Sequence, residues 1–233
     1  MAIINITATD IPDAWFQAIW SILEHGHKYT VEKGSYEGQT RLECDWITIE
    51  VKRPYQEPYD QMLPQIPEHL GVPNPVAPGY IEEYVPKLMT SEIDINETYT
   101  YGERLCKVFD DAHGSEFLSQ IDHNIKVLKN TPNTNQAILQ VAQPEDCMLS
   151  DPPCLRHIDL RVRNKKLIMY PYFRSWDLWG GLPANLAVIA VLQKYMADEI
   201  GVTSGSIRAM SKGLHLYSYA EKLAKIRTNR GSL

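Results

Sequence analysis

Two stretches of similar length, Arg156–Arg163 and Leu167–Phe173, place the strongest constraint on how this chain can fold. Apolar and polar residues alternate along the first stretch, and the second follows after the short segment Asn164–Lys166. Alternation with a period of two is typical of a strand that buries one face. We therefore predict a β-hairpin, in which a tight turn fixes the register so that the numbers of opposite residues add up to about 330.

The predicted register places Cys154 at the open end of the hairpin, beside Arg174, Ser175 or Trp176. A nearby guanidinium group lowers the pKa of a thiol, and the thiolate is the reactive form of cysteine. Cys154 is therefore a possible nucleophile. Most cysteines are simply small buried apolar residues, and we expect this of the other three: Cys44, Cys106 and Cys147.

The segment after the hairpin predicts a buried helix. Gly180–Pro183 leads into Leu186–Ile200, which is apolar on nearly all faces, and a helix of that kind lies in the core. Pro183 suits the first helical position, and Gly201 is expected to end the helix. Asn185 would then lie in the first turn.

Elsewhere the sequence mixes helices with strands. A helix over residues 10–25 has Asp10 as its N-cap, and the proline-rich residues 53–79 form either a functional lid or a peripheral insert. The other predicted elements are strands at Trp46–Val51, Ala137–Ala142 and Ser206–Met210, and helices at Tyr80–Leu88, 115–129 and 218–228. This order predicts an α+β fold with helices packed on a mixed, twisted β-sheet, in a single domain of residues 1–233.

The composition restricts the class of protein. The net charge is −6, which argues against nonspecific nucleic-acid binding and predicts that a bound phosphate is held by a few placed arginines. The four cysteines show no CxxC pair and no zinc spacing, so we expect no disulfide framework, no metal site and a reduced, cytoplasmic setting. The N-terminus does not resemble a signal peptide, and the longest apolar run, Leu186–Leu192, is too short to cross a membrane.

Four motifs lie in the C-terminal third of the chain: Pro153-Cys154, Arg174-Ser175-x-Asp177, Gly181-Leu182-Pro183-x-Asn185 and His215-x-Tyr217. Together they resemble the signature of the thymidylate synthase family, and their spacings match that family without gaps. Tyr99–Gly102 and the order of elements before Cys154 resemble it more loosely. The short chain and the segment Tyr80–Arg104 resemble the archaeal, methanogen-type branch of this family of thymidylate synthases and pyrimidine hydroxymethylases.

The resemblance implies a thymidylate synthase-like fold and the methylation of dUMP to dTMP. Cys154 would attack carbon 6 of the uracil ring, which makes carbon 5 nucleophilic. Methylene-tetrahydrofolate, or methylene-tetrahydromethanopterin in its place, would supply the one-carbon unit and the hydride. The resemblance further implies a homodimer that binds dUMP and a reduced pterin, and it implies no metal.

The phosphate and the base of dUMP would each have partners of suitable chemistry. Arg174 would bind the phosphate and bias Cys154 toward the thiolate, since guanidinium donors suit phosphate oxygens; Ser175 would donate to the same phosphate. Asn185 would donate to one carbonyl of uracil and accept from its ring N–H, because a side-chain amide has both functions. An aspartate at that position would suit cytosine better.

The sugar and the pterin would be recognised by the remaining motif residues. His215 and Tyr217 would bond the deoxyribose hydroxyl, and Asp177 would orient the pterin ring or an ordered water near it. Gly181 would let the backbone approach the ligand closely, because glycine has no side chain.

Proton transfer at the uracil ring needs a base. The family uses a glutamate on a helix before the Tyr-Gly motif, and the candidates here are Glu82 and Glu83. We prefer Glu83 because apolar residues follow it, although a solvated pair on a helix surface is the alternative. Tyr101 is a second candidate near the nucleophile.

Three departures from the family pattern keep other hypotheses open. The family's arginine pair before the cysteine is replaced by Thr131–Gln136, so Arg41 is a candidate for holding the phosphate; Leu155 replaces a common histidine, and only 16 residues follow Tyr217. The rival hypotheses are a deoxypyrimidine-nucleotide hydroxymethylase of the same fold and a non-catalytic nucleotide-binding homologue. A cysteine hydrolase is disfavoured because it needs a histidine beside the thiol.

Overall fold

A six-stranded mixed sheet lies at the centre of the molecule. The structure is a computed structural model that describes residues 3–33, 36–95, 97–110 and 117–230. In spatial order the strands are β1 (Ile3–Ala8), β4 (Trp46–Val51), β11 (Thr203–Ser211), β9 (Lys166–Phe173), β8 (Leu155–Arg163) and β7 (Ile138–Gln140). Strand β1 pairs in parallel with β4 and strand β9 in parallel with β11, whereas the other neighbours are antiparallel. The predicted mixed sheet is therefore confirmed.

The β8–β9 hairpin forms as predicted, with the register displaced by one position. Asn164 and Lys165 form a two-residue turn with φ of 51° and 58°, as a type I′ turn requires at both central positions. His157 pairs with Tyr172, and the register then shifts before Leu155. As a result the Arg174 N–H donates to the carbonyl of Cys154, with N and O 2.8 Å apart.

Helices cover one face of this sheet. In chain order the helices are α1 (Ile11–His25), α2 (Tyr80–Leu88), α3 (Tyr101–Cys106), α4 (Gln120–Asn130), α5 (Gly181–Ile200) and α6 (Ser218–Arg227), of which α2 packs on α5 and α6 on the second sheet described below. Helix α5 packs on β9 and β11 and helix α1 on β1 and β4. Twelve of the 20 residues of α5 are buried, which explains why its sequence is apolar on nearly all faces.

A second, four-stranded sheet supplies one wall of the site described below. Its spatial order is β10 (Trp176–Asp177), β12 (Leu214–Tyr217), β3 (Thr40–Cys44) and β2 (His27–Thr30). In this sheet His215 lies opposite both Asp177 and Glu43. A short pair, β5 (Phe109–Asp110) with β6 (Phe117–Leu118), completes the strands.

Most predicted elements agree with the structure. The Asp10 carboxylate accepts from Asp13 N at the start of α1, at 3.0 Å, and the helix ends before Gly26. The predicted bounds of β4 and α2 are those observed, and β7, β11 and α6 lie within three residues of prediction. Residues 53–79 contain two 3-10 turns, Tyr59–Met62 and Glu68–Leu70. Met62 and Leu63, at the end of the first turn, are buried in the core.

Two helix starts and one cysteine differ from prediction. The helix predicted at 115–129 starts at Gln120, because the Ser119 hydroxyl caps it by accepting from Asp122 N and Phe117–Leu118 is a strand; residues 115 and 116 lie outside the described ranges. Helix α5 starts at Gly181, so Asn185 lies beyond the first turn. Cys147 is exposed.

No helix within the described ranges is long and apolar enough to span a bilayer.

A buried glutamine forms hydrogen bonds at an irregularity in the strand pairing of the central sheet. The pairing of β11 with β9 is interrupted between Ser204 and Ile207, where a side chain on Gly205 would come within 2.6 Å of the Leu167 carbonyl. The Gln193 amide, which is fully buried, donates to the carbonyls of Leu167 and Ser206 at 2.9 and 3.2 Å. One side chain thus satisfies two carbonyls that the sheet leaves without a strand partner.

We therefore expect Gln193→Leu to lower the free energy of unfolding by about 1–3 kcal/mol, because it buries two carbonyls without donors. Urea denaturation of both proteins measures the difference. The matched change Gln17→Leu removes an amide whose bond to Asp13 is only part-buried and is expected to cost about 0.5 kcal/mol or less. An equal loss in both variants would contradict the role assigned to Gln193.

Candidate active site

The open end of the β8–β9 hairpin borders a cavity of about 500 Å³. Six of the predicted site residues line it together: Cys154, Arg174, Ser175, Asp177, His215 and Tyr217. Cys154 immediately precedes β8, and Arg174 and Ser175 connect β9 to β10. Asp177 lies on β10, and His215 and Tyr217 lie on β12. The sheet registers therefore bring three of the four sequence motifs to one place.

Arg174 holds the loop that precedes the cysteine. Its guanidinium donates to the carbonyls of Pro152 and Pro153 and pairs with Asp151, with Nη2 and Oδ1 2.9 Å apart. Hydrogen bonds from a charged group to carbonyls are stronger than neutral ones. The guanidinium thus fixes the position of Cys154 and remains at the cavity wall, where an anion can reach it.

The Cys154 thiol is protonated at neutral pH. Burial raises the pKa of Cys154 above its ordinary value, and the Asp151 carboxylate raises it further, whereas the charges of Arg174, Arg41 and Arg156 lower it. The predicted effect of Arg174 is thus present, but the loss of hydration outweighs it. Any change that neutralises Asp151 or buries less of the sulfur favours the thiolate.

His215 lines the cavity and has an unused hydrogen-bond acceptor. The residue is 3% exposed, and burial lowers the pKa of its imidazole to about 4, so the ring is neutral at pH 7. Nδ1 lies 2.9 Å from the Gly213 carbonyl, and since the carbonyl can only accept, Nδ1 carries the proton and Nε2 accepts. Within the described ranges this buried Nε2 has no hydrogen-bond partner.

Tyr217 and Arg41 form the wall beside His215. The Tyr217 ring meets the His215 ring edge-on, with centroids 4.7 Å apart, and Tyr217 faces Arg41 across the β12–β3 pair. Arg41 also lines the cavity, bonds Tyr29 and pairs with Glu43 at 3.0 Å. A second guanidinium is therefore available for an anion bound at Arg174.

Asp177 links the cavity to the start of helix α5. Its carboxylate accepts from the backbone N–H groups of Gly180 and Gly181 at 3.0 and 2.9 Å, which caps the helix. A side chain at Gly181 would come within 3.2 Å of the Asp177 Cβ. The structure therefore explains Gly181 by its contact with Asp177, whereas the predicted approach to a ligand stays a prediction.

Asn185 lines a second cavity, of about 270 Å³, on the other side of the nucleophile. Tyr84, Tyr99 and Tyr101 share this cavity. The Tyr101 hydroxyl accepts from the N–H of Leu155, which follows the nucleophile, at 3.2 Å. Burial, followed by the Cys154 charge, raises the pKa of Tyr99 to about 12, so both tyrosines lie close to the thiol and are protonated at neutral pH.

Glu82 and Glu83 are not brought to either cavity. Both side chains are exposed on α2, and the residues of that helix that line the second cavity are Tyr84, Lys87 and Leu88. A carboxylate that sequence reasoning missed, Glu97, lines the second cavity instead. It lies two residues before Tyr99–Gly102, and only proximity to that motif in the sequence could have indicated it.

Other lining residues were also missed, because their positions depend on the second sheet. Glu43 and Lys212 line the first cavity although they belong to none of the four motifs. The indole of Trp176, at the variable position of the Arg-Ser-x-Asp motif, donates to Asn185 Oδ1 at 3.0 Å. In the described part of the chain no three histidine, cysteine or acidic side chains are grouped as a metal site.

Comparisons with known proteins agree on one family. The family model described as thymidylate synthase matches residues 81–232. A protein of Methanosarcina barkeri is 32% identical, over 92% of this chain and 89% of its own, and one of Methanococcoides burtonii is 31% identical, over 95% and 93%. Both are named thymidylate synthases, on a provisional basis.

A solved structure shows the same fold. The thermostable thymidylate synthase A of Bacillus subtilis matches with a TM-score of 0.72, at 19% sequence identity, over 97% of this chain and 86% of its own.

We expect Asp151→Asn to move the pH dependence of Cys154 alkylation to lower pH. The carboxylate raises the pKa of the thiol, and like charges disfavour the thiolate, so its removal makes the thiolate available at lower pH. The measurement is the rate of iodoacetamide alkylation from pH 6 to about 10, in a Cys147→Ser background that removes the exposed thiol.

The matched control is Asp198→Asn, which removes an exposed carboxylate from α5 and is expected to leave the profile unchanged. A Cys154→Ser variant identifies the signal of Cys154. An unchanged or upward-shifted profile for Asp151→Asn would refute the electrostatic role of Asp151.

Proposed function

Because the chain belongs to the thymidylate synthase family, we propose that it methylates dUMP to dTMP through a covalent bond between Cys154 and carbon 6 of the pyrimidine. The proposal is supported by the arrangement of a thiol, two guanidinium groups and an unused acceptor around one cavity. These groups have the chemistry that the base, phosphate and sugar of a nucleoside monophosphate need.

The observation that carries the proposal is the unpartnered Nε2 of His215. A buried acceptor without a donor is costly, and a cavity that contains one therefore fits a ligand that donates there. The 3′-hydroxyl of a deoxyribose is such a donor. Tyr217, whose ring packs against His215, would bond the same hydroxyl.

The phosphate would replace a carboxylate at Arg174. In the ligand-free arrangement Asp151 neutralises Arg174, and a dianionic phosphate competes for the same donors. Ser175 and Arg41 line the same cavity and would add donors. Arg174 and Arg41 would thus provide part of the phosphate binding for which the family uses an arginine pair. That pair is absent from Thr131–Gln136.

The pyrimidine would lie between the two cavities, next to the sulfur. There Cys154 attacks carbon 6, and Asn185 pairs with the edge of the uracil ring. The role of Glu83 as the base stays a prediction, and its exposed position on α2 does not support that role. Tyr101 stays a prediction as a proton-transfer group, and its bond to Leu155 N supports it.

The pterin would occupy the second cavity. Three tyrosines line it, and aromatic rings suit the flat faces of a pterin. Asp177 as a partner of the pterin ring stays a prediction, since its carboxylate lines the first cavity. Methylene-tetrahydrofolate or methylene-tetrahydromethanopterin, when bound, supplies the one-carbon unit and the hydride.

We further propose that the active form is a cytoplasmic homodimer of single-domain chains. One face of the six-stranded sheet is covered by helices, while side chains on the other face remain half-exposed along β4, β8 and β9. Trp46, His157 and Tyr172 form an aromatic group on that face. Aromatic residues are enriched in protein interfaces, which supports contact with a second copy.

We expect the protein to release tritium from dUMP labelled at carbon 5, in the presence of methylene-tetrahydrofolate, and to form dTMP and dihydrofolate. Attack by Cys154 is what makes carbon 5 exchangeable, so Cys154→Ala should abolish release. The methanopterin carrier is tested in parallel. Hydroxymethyl-dUMP without an oxidised carrier would indicate a hydroxymethylase, and binding of dUMP without release under either carrier would indicate a non-catalytic homologue.

We also expect His215→Ala to weaken the preference for a 3′-hydroxyl. Removing the acceptor should lower the ratio of the dissociation constants of 2′,3′-dideoxy-UMP and dUMP by about two- to tenfold, the effect of one hydrogen bond, and leave only the contribution of Tyr217. Calorimetric titration measures the ratio. His157→Ala, on strand β8, is the matched control and should keep the wild-type ratio; an unchanged ratio in His215→Ala would disprove the assignment.

A further inference from the structure

The indole of Trp176 is held in one orientation. The side chain is 2% exposed, and its ring stacks on Phe173 with centroids 4.1 Å apart and planes 5° from parallel. Its backbone N–H donates to Gly213 at 2.9 Å, which fixes the strand that carries it. The indole N–H is a donor only, and it donates to Oδ1 of Asn185 at 3.0 Å.

This bond determines which end of the Asn185 amide is the acceptor. A side-chain amide can turn by 180° and exchange its oxygen for its NH2 group. Here the oxygen faces the indole, since an NH2 group in that place would oppose another donor. Within the described ranges no hydrogen bond from Nδ2 is found, and Asn185 lines the second cavity, so a base placed between the two cavities meets an amide of fixed orientation.

Uracil and cytosine differ by the same exchange. Uracil offers an acceptor at position 4 and a donor at position 3, whereas cytosine offers a donor at position 4 and an acceptor at position 3. One orientation of an amide pairs with uracil, and the flipped amide pairs with cytosine in the same place. An asparagine that is free to flip therefore discriminates poorly between the two bases.

We propose that Trp176 is the positioning residue that makes Asn185 specific for uracil, by holding the amide in one of its two orientations. The inference rests on the proposed function, which identifies the selected base as uracil. Trp176 itself does not touch the nucleotide. It acts through Asn185, and its indole N–H is the group that matters.

The test is Trp176→Phe, which keeps an aromatic ring against Phe173 and removes the N–H. Dissociation constants of dUMP and dCMP are measured by calorimetry for both proteins, together with tritium release from each nucleotide. We expect the preference for dUMP over dCMP to fall by about tenfold or more, as the loss of one two-bond recognition of a base predicts, with tighter binding of dCMP.

The matched control is Trp15→Phe. Trp15 is equally buried, and its indole also makes one hydrogen bond, to the Trp179 carbonyl at 2.9 Å, but it lines neither cavity. A general loss of stability would weaken the binding of both nucleotides alike and leave the ratio of their dissociation constants unchanged. An unchanged ratio in Trp176→Phe would overturn the proposal.

Binding separates this result from the proposed reaction. If the wild type releases no tritium but prefers dUMP, and Trp176→Phe loses that preference, the reaction fails and the role of Trp176 stands. If the wild type binds dCMP as well as dUMP, or binds neither, the role of Trp176 is overturned whatever the turnover.

Discussion

The site depends on one backbone hydrogen bond, from Arg174 N–H to the Cys154 carbonyl. It closes the open end of the β8–β9 hairpin and so connects a residue before β8 to a residue after β9. The side chain of Arg174 then holds the same loop through Pro152 and Pro153. The backbone and the side chain of one arginine thus place the thiol, and the strands behind it provide the rigidity that a precise site needs.

The second dependence is on how the two sheets meet. Strand β10 pairs in parallel with β12 and leads through Asp177 into helix α5, whose first N–H groups that carboxylate caps. His215 is placed by β12, while α5 packs on the central sheet. Regular elements therefore line both cavities and hold the groups around Cys154 in place.

The sequence predicted those parts of the fold that local patterns determine. The hairpin turn, the Asp10 cap and the apolar length of α5 are local, and each is found close to where it was predicted. Phe117 and Leu118 read as the start of a helix, because their apolar spacing is helical, but pairing with β5 overrides it.

The parts of the site that the sequence did not predict depend on distant partners. Glu43 reaches the cavity only because β3 pairs with β12, and the start of α5 moved to Gly181 because of the Asp177 cap. The exposure of Glu83 depends on how α2 rotates against α5, which no local pattern shows. The motif residues were found by resemblance, whereas the orientation of Asn185 needed the bond from Trp176.

The contact between Asp177 and Gly181 has an evolutionary consequence. The carboxylate that lines the cavity is also the cap of α5, and the missing side chain at Gly181 is what leaves room for it. A substitution at either position therefore changes the packing at the other, both in the site and at the start of the helix. We expect substitutions at the two positions to be non-additive, so that evolutionary change at one depends on the residue at the other.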